Sequence, residues 1–374
     1  MSEERAFWVA WSQIQGMGPI LQKRLATEFG TLAAAWEASP EELQTIEGIG
    51  PKLAWAIAKQ RPQIQSEPSL HSETGFLTPA DEAYPPLLYE IPDPPPVLYY
   101  QGQVDLLLAT CQKQAAVGIV GTRSPSEYGK RWTRQLTTAL SRAGFTIISG
   151  LAAGIDREAH QSCLNATGKT IAVLGTGVDV VYPYRNRRIH QAIAQAGLLL
   201  SEHPPGTQPE RIHFPRRNRI IAGLSRAILV TEAPWKSGAL ITAQLANDYG
   251  RDVFALPGAL DNPRCQGCLD LINQGAHLIL GEEPLIKALG GIPIEKVEQI
   301  TPTSYPPPAQ IPNLDPYLQQ VFQAVPEQPQ PLDIIAQQVD ALSTGDILSA
   351  LTHLELMGLI SNLPGTQQYQ RCSE

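Results

Sequence analysis

Short apolar runs alternate with longer stretches of helical periodicity in the middle of the chain, from about residue 115 to residue 258. Strands that alternate with helices are typical of βαβ units and of a mostly parallel sheet. The pattern therefore predicts an α/β domain whose core begins near residue 115. The runs are AAVGIVG, FTIISG, TIAVLGT, LLLSE, AILVTEA and DVFALPG.

The first 66 residues have a different pattern, with short amphipathic helices and an internal repeat. Residues 14–21 read IQGMGPIL and residues 46–53 read IEGIGPKL, so each copy places Gly-x-Gly-Pro before a helix. The glycines permit a tight turn, and proline suits the first helical position. This is the pattern of helix-hairpin-helix motifs. Backbone amides at such a turn can hold a phosphate, but a hairpin used only for packing or protein contact fits the sequence equally well.

Proline-rich segments separate the regions of the chain. Residues 84–96 are interpreted as a connector and residues 300–316 as an extended linker. A candidate helix over 344–358, a short strand and a turn at 362–365 then follow in the order of a winged helix. We predict a helical helix-hairpin-helix or SAM-like domain (1–66), an α/β domain (67–299), a linker (300–316) and a winged-helix-like domain (317–374).

The composition, with 43% hydrophobic and 17% charged residues, is that of a soluble globular protein. The chain has no apolar run near the roughly 18 residues that a membrane helix needs, and its acidic N-terminus does not resemble a secretory signal. We therefore expect a cytoplasmic protein without a membrane partner. The cysteines are scattered, and the pair Cys265 and Cys268 would supply at most half of a zinc site, so no metal is predicted.

Positive charge is concentrated in one stretch of this acidic chain. The formal net charge is −8, whereas residues 182–219 carry seven arginines and two glutamates. Arginine forks match phosphate groups, and the rings of Tyr182, Tyr184 and Phe214 can stack on unpaired bases. The stretch therefore predicts an anion site, the alternative being a solvated arginine face. Its arginines are Arg185, Arg187, Arg188, Arg211, Arg216, Arg217 and Arg219.

Ligands of open α/β sheets bind outside the carboxyl ends of the strands, so the residues after each apolar run are candidates for the site. The first run leads into GTRSPSE, in which Ser124 is the predicted N-cap, Pro125 the first helical residue and Glu127 a capping glutamate. Arg123 would then lie on a short loop above the sheet. A cation fixed there suits a phosphate, with a structural salt bridge as the alternative.

Small residues follow the second run, in SGLAAGIDREAH (residues 149–160), and allow the backbone to approach a ligand closely. Asp156 and His160 would share a helix face. They predict an acid/base pair or, as we favour, a structural hydrogen bond, since no nucleophile or metal cluster accompanies them. The third run ends in Gly175-Thr-Gly177. Neither this run nor the first continues into G-x-G-x-x-G, which argues against a dinucleotide cofactor.

The fifth run leads into PWKSGALIT, residues 234–242. Ser237 is the predicted N-cap of a helix that reaches Tyr249, and Lys236 would stand beside the positive end of that helix. A further phosphate contact is therefore predicted in this loop.

Together these motifs resemble the bacterial DNA-processing protein A family, also called DprA or Smf. The resemblance covers nearly the whole chain and rests on several long motifs in the right order. They are IPDPPPVLYYQG, GTRSPSEYG, SGLAAGIDREAH, TIAVLGTGVDVVYPYRN, SEHPPGTQPERIHFPRRNRIIAGLS, KSGALITA and FALPG.

The resemblance implies an extended Rossmann-like domain that dimerises, binds and protects single-stranded DNA, and loads the RecA recombinase onto it during DNA uptake and natural transformation. It implies neither enzymatic turnover nor a cofactor. By motif position, the expected phosphate ligands are Arg123, Lys236 and the cluster of Arg216, Arg217 and Arg219, with close backbone from Gly121, Ser149, Gly150, Gly175 and Gly177, and with Ser237 and Gly238 at the helix start.

Two other functions fit parts of the sequence. Rossmann-type nucleotide phosphoribohydrolases carry a Pro-Gly-Gly-x-Gly-Thr-x-x-Glu loop, but residues 232–240 read EAPWKSGAL here. A duplex-DNA regulator would use the winged helix, but residues 317–374 contain six acidic side chains and one basic side chain, and such a surface repels phosphate. We therefore predict a protein-contact or regulatory role for the C-terminal domain.

Overall fold

The computed structural model describes residues 3–64, 74–108, 116–290, 315–326, 330–339, 342–356, 359–363 and 368–371. The chain divides into two compact units, Met1–Glu295 and Lys296–Glu374. The domain boundary predicted at residue 66 falls inside the first unit and stays a prediction. Residues 300–314 of the predicted linker lie outside the described residues.

The first unit contains a nine-stranded mixed sheet. Its strands are β1 (Gly75–Leu77), β2 (Leu98–Gly102), β3 (Ala116–Val120), β4 (Thr146–Ser149), β5 (Thr170–Val173), β6 (Leu198–Ser201), β7 (Ala227–Val230), β8 (Asp252–Ala255) and β9 (His277–Leu278). Their order is β1-β2-β6-β5-β4-β3-β7-β8-β9, and the strands from β6 to β9 in that order are all parallel. The six strands predicted from apolar runs are confirmed as β3 to β8, in an extended Rossmann-like arrangement.

Helices cover both faces of this sheet and form a separate group before it. They are α1 (Glu3–Ser12), α2 (Pro19–Phe29), α3 (Leu32–Glu37), α4 (Pro40–Leu43), α5 (Pro51–Gln60), α6 (Pro86–Glu90), α7 (Glu127–Arg142), α8 (Ile155–Asn165), α9 (Arg187–Ala196), α10 (His213–Leu224), α11 (Gly238–Asp248), α12 (Gln266–Asn273) and α13 (Glu282–Leu289). Successive side chains of a strand point to opposite faces. Val117 and Ile119 of β3 accordingly share a core with α7 and α8, whereas Val120 shares one with α10 and α11. Burial on both faces explains why the central strands are continuous apolar runs.

Both Gly-x-Gly-Pro repeats fold as predicted. Gly18 and Gly50 are the N-caps of α2 and α5, and each is followed by a proline in the first helical turn. Gly16 and Gly48 have φ of +92° and +95°, which residues with a side chain rarely adopt. The helix-hairpin-helix interpretation of this region is therefore confirmed.

The structure corrects the interpretation of residues 84–96 as a plain connector. This segment contains α6, whose Leu88 is fully buried, and the Tyr84 hydroxyl donates to the Pro95 carbonyl at 2.8 Å. The chain then enters β2, which pairs antiparallel with β1 and β6. The sequence did not predict β1 and β2 because three residues show no periodicity and the neighbouring prolines weaken any strand signal.

The second unit has the elements of a winged helix, as predicted. They are α14 (Pro316–Ala324), β10 (Gln330–Pro331), α15 (Leu332–Gln337), α16 (Thr344–Leu356), β11 (Ile360–Leu363) and β12 (Gln368–Arg371). The strands form an antiparallel sheet in the order β10-β12-β11. The turn predicted at 362–365 is wrong at its start, because Asn362 and Leu363 still pair with β12. Residues 357–358 and 364–365 lie outside the described residues.

Candidate functional site

The carboxyl ends of the parallel strands border an open crevice at the point where the strand order reverses. β3 lies at this point, with β4 on one side and β7 on the other, and ligands of open α/β sheets bind at such positions. The crevice has a volume of about 660 Å³. The residues that line it include Gly121, Arg123, Asp156, Tyr182, Arg211, Phe214, Arg217, Ser237 and Gly238.

Glu232 ties the loops after β3 and β7 together across this point. Its carboxylate accepts hydrogen bonds from the backbone N–H and the hydroxyl of Ser126 at 2.7 and 2.6 Å, and its carbonyl accepts one from the Thr122 N–H at 2.7 Å. The Ser126 side chain also accepts from the Gly129 N–H at 3.2 Å and is the N-cap of α7. The predictions of Ser124 as N-cap and Pro125 as first helical residue are wrong, because the partner that selects Ser126 is 106 positions away.

Arg217 lies at the floor of the crevice with only 4% of its surface exposed. Its guanidinium donates hydrogen bonds to the carbonyls of Gly150, at 2.7 Å, and Val173, which ties α10 to the ends of β4 and β5. Burial lowers the pKa of Arg217 to about 10, an effect that Asp156 opposes and Arg123 reinforces. The side chain therefore stays charged at neutral pH and places a buried positive charge under the crevice.

Arg219 is not among the residues that line the crevice, although it was predicted as a phosphate ligand. Only 3% of Arg219 is exposed, and its guanidinium donates to Asp93 at 2.8 Å and to Glu202 at 2.8 and 3.2 Å. The structure thus gives Arg219 two carboxylate partners. Arg216 is half exposed and lies 3.9 Å from Glu202, outside the crevice lining.

The glycines and the serine predicted to bring the backbone close to a ligand are packed closely against other atoms of the protein. An added Cβ would lie 2.6 Å from α8 at Gly121, 2.6 Å from the buried guanidinium at Gly150 and 3.0 Å from an aromatic ring at Gly175. The Ser149 hydroxyl is buried and donates to a β3 carbonyl at 2.6 Å, and the Gly177 N–H donates to a carbonyl at 3.0 Å. Their close approach to a ligand stays a prediction.

Cations and aromatic rings lie side by side in the wall of the crevice. The Arg123 guanidinium carbon is 5.8 Å from the centre of the Phe214 ring, and that ring is 5.3 Å from the ring of Tyr182. The same three side chains border an adjoining cavity of about 120 Å³. Arg123 is exposed, lies against a ring and has no carboxylate partner among the described residues, so its charge remains available to a ligand.

A further cavity of about 260 Å³ also borders Arg123. The sequence did not predict all of the residues that line it. Its lining includes Lys130, Arg157 and Arg185. Lys130 is paired with Glu127 at 2.7 Å, whereas Arg157 and Arg185 are exposed and have no carboxylate partner within the described ranges. Arg157 was overlooked because it stands alone in the sequence, and only the position of α8 brings it beside the arginine-rich stretch.

The loop after β7 begins α11 as predicted. The Ser237 side chain accepts a hydrogen bond from the Ala239 N–H at 3.3 Å, and α11 ends beside Tyr249. Lys236 is exposed and adopts φ of +61°, a left-handed conformation that is uncommon outside glycine. Its role as a phosphate ligand stays a prediction.

Asp156 and His160 have separate structural partners, which differs from the hydrogen bond favoured for this pair from the sequence. The Asp156 carboxylate accepts from the backbone N–H groups of Gly150 and Ala152 at 3.1 and 3.3 Å, and burial raises its pKa. His160 Nδ1 lies 2.8 Å from the Thr170 hydroxyl. Burial lowers the pKa of His160 to about 3, so the imidazole is neutral in the folded protein.

The neutral imidazole of His160 should make the fold sensitive to acid. Its pKa falls from 6.5 to about 3 on folding, so the unfolded chain binds one more proton between these values, and the free energy of unfolding decreases as the pH falls from about 6.5 towards 3. Between pH 7 and pH 5 this group should account for a loss of about 2 kcal/mol.

His160→Gln should therefore flatten the pH dependence of stability, as measured by urea unfolding at pH 7 and pH 5. His353→Gln is the matched control, because His353 is exposed on α16. Equal pH dependence in wild type and His160→Gln would contradict the prediction.

Cys265 and Cys268 are buried free thiols at the start of α12. Burial raises the pKa of Cys268 to about 12. Across the part of the chain that the structure describes, no group of three or more His, Cys, Asp or Glu side chains is arranged to hold a metal ion. No helix in that part is long and apolar enough to cross a membrane.

Three segments of the chain match known protein families. Residues 75–290 match the family described as DNA recombination-mediator protein A. Residues 305–366 match the DprA winged helix domain, and residues 12–60 match the SAM-like helix-hairpin-helix tandem. These matches confirm the predicted fold class of all three regions.

Individual proteins give the same result. Protein Smf of Synechocystis sp. is 48% identical over 99% of each chain, and the DNA processing protein DprA of Bacillus subtilis is 42% identical over 65% of this chain and 78% of its own. Among solved structures, DNA processing protein A of Streptococcus pneumoniae matches with a TM-score of 0.63 at 34% identity, over 77% of this chain and 98% of its own.

DNA processing protein A of Helicobacter pylori, reported for its single-stranded DNA binding mode, matches with a TM-score of 0.53 at 33% identity, over 59% of this chain and 96% of its own. The main family match spans more than half of the chain, and the Synechocystis relative spans nearly all of it. The chain therefore belongs to the DNA recombination-mediator protein A family, also called DprA or Smf.

Proposed function

We propose that this protein binds single-stranded DNA in the crevice at the carboxyl edge of its sheet. The observation that carries the proposal is the row of Arg123, Phe214 and Tyr182 in the crevice wall. A guanidinium matches a phosphate, and aromatic faces stack on unpaired bases without regard to sequence. The Helicobacter relative, reported for its single-stranded DNA binding mode, supports the same ligand class.

We assign phosphate contacts to the exposed cation Arg123 in the crevice lining, and to the exposed cations Arg216 and Lys236 outside that lining. Arg217 is assigned a supporting role, because its guanidinium is buried and holds two loop carbonyls while adding positive charge from below. Ser237 and Gly238 line the crevice at the start of α11, where backbone N–H groups favour an anion.

The bound strand is proposed to be protected and handed to the RecA recombinase during DNA uptake and natural transformation, by a cytoplasmic homodimer. Family membership supports this role. The protein is proposed to act without catalysing a covalent reaction. In support, the buried carboxylates of Glu232 and Asp156 and the buried His160 ring each have a structural partner.

A gel-shift comparison of single-stranded and duplex DNA at several salt concentrations tests this function. We expect a preference for the single strand and a steep loss of affinity with salt, with a slope of about −0.7 for each phosphate contact. Equal affinity for the duplex would count against the proposal. Release of free base from nucleoside monophosphates in a parallel incubation would favour the phosphoribohydrolase alternative instead.

A further inference from the structure

The two helix-hairpin-helix copies pack against each other in a reciprocal way. They lie 32 positions apart in the sequence, and each turn packs on the helix of the other copy. An added Cβ at Gly16 would lie 3.0 Å from Leu53, and one at Gly48 would lie 2.9 Å from Leu21. Leu21 and Leu53 occupy the same place in their copies. Residues of α2 and α5 that lie 32 positions apart are therefore treated as counterparts.

The two copies differ at the surface, because residues 89–91 cover the first copy at Lys23. Lys23 of α2 donates to the carbonyls of Tyr89, Glu90 and Ile91 at 2.8, 3.2 and 2.9 Å, and it lies 5.1 Å from the centre of the Tyr89 ring. The counterpart of Lys23 in the second copy is Trp55, which is 61% exposed. The face that docks in one copy is thus open in the other.

Two lysines flank the open tryptophan. Lys52 and Lys59 are three residues before and four residues after Trp55 on α5, a spacing that places all three side chains on one face of the helix. All three are exposed. We call this surface the Lys-Trp-Lys face.

Residues 3–64 contain six Lys and Arg side chains. Within the described ranges, Lys52 and Lys59 have no ion-pair or hydrogen-bond partner. The other four cations of this segment are engaged: Arg5 with Asp81, Lys23 with three carbonyls, Arg24 with Glu47, and Arg61 with the carbonyls of Ala35 and Ala38. The Glu42 carboxylate of α4 is itself engaged, because it accepts from the Ser39 N–H at 2.8 Å. The charges on the Lys-Trp-Lys face are therefore available to an external anion.

We propose that the Lys-Trp-Lys face is a second contact for the single strand held in the crevice. Lys52 and Lys59 bind phosphates, and a base stacks on the Trp55 ring. An unpaired strand offers both chemistries at once, whereas a duplex keeps its bases stacked inside and exposes only phosphates. This inference rests on the proposed function and adds a binding surface from a different part of the unit.

The test uses the full chain and a fluorescent 40-nucleotide deoxythymidine strand, with anisotropy measured at several salt concentrations. The double variant Lys52→Ala/Lys59→Ala should bind about fivefold more weakly at low salt, and its salt slope should fall by about 1.4, since each phosphate contact contributes about 0.7. Trp55→Ala should bind about fivefold more weakly with an unchanged slope, and Trp55→Phe should restore most of the affinity.

Controls separate this surface from the crevice and from folding. Lys169→Ala, an exposed lysine on the loop before β5, should leave affinity within about twofold. On an abasic strand of equal length, the Trp55→Ala defect should vanish while the double-lysine defect remains. If the Lys-Trp-Lys variants bind like wild type while Arg123→Ala is impaired, the inference is overturned and the proposed function stands. If Arg123→Ala also binds like wild type, the crevice proposal fails as well.

Discussion

Arg123→Ala should weaken single-strand binding by about 10- to 100-fold, because a hydrogen bond to a charged group contributes about 1.5–3 kcal/mol. Arg123 borders the main crevice and both adjoining cavities, so a strand that enters any of them passes this side chain. Since Arg123 rests on the Phe214 ring and not on a carboxylate, its removal leaves no buried charge and the fold should stay intact.

Fluorescence anisotropy with a deoxythymidine strand at several salt concentrations measures this effect. The salt slope should decrease by about 0.7 together with the affinity. Arg123→Lys should retain part of the affinity, because it keeps the charge but loses the planar fork. Arg142→Ala, at the exposed far end of α7, is the matched control. An unchanged slope for Arg123→Ala would remove Arg123 from the phosphate ligands.

Arg219→Met should destabilise the protein by about 3–5 kcal/mol, because removing one partner of a buried ion pair strands the other charge. Here the stranded groups are the carboxylates of Glu202, which is nearly buried, and Asp93, which is partly buried. The single-strand affinity of the folded protein should change little, because Arg219 is not among the residues that line the crevice. Urea unfolding at pH 7 measures the first effect and anisotropy the second.

Arg216→Met is the matched control for this prediction. Arg216 is half exposed and 3.9 Å from the same Glu202 carboxylate, so its loss should change the free energy of unfolding by about 0.5 kcal/mol or less. If Arg219→Met instead keeps its stability and loses DNA affinity, the original assignment of Arg219 to phosphate would be restored.

The sequence predicted the parts of the fold that have a clear local signal, such as an apolar run or a Gly-Pro pair. β3 to β8 are apolar runs because both faces of the sheet are covered, and Gly18 and Gly50 with their following prolines mark helix starts within a few residues. β1 and β2 have no comparable signal. β1 has three residues, and its position is fixed by pairing with a strand more than twenty residues away.

The sequence predicted where the candidate site lies, but it did not predict the role of each arginine. Arg123 and Ser237 were found because they follow strands whose carboxyl ends meet at one edge, and Arg217 because it belongs to the arginine-rich stretch. Arg219 looked like its neighbours in the sequence. Its partners lie 126 and 17 positions away, and only the fold shows that they enclose its charge. The arginines of α10 therefore have different roles because they are buried to different extents, a difference that the amino-acid composition does not show.

The bonds between Glu232 and the loop after β3 have a consequence for how fast a strand can bind. Because these bonds join the loops after β3 and β7, the crevice cannot widen without breaking charge-assisted hydrogen bonds to Ser126. The site is therefore preorganised, and in the proposed complex the ordering entropy of association falls on the DNA and on a few exposed side chains. The encounter rate should then be set by electrostatic steering and not by a conformational step of the protein.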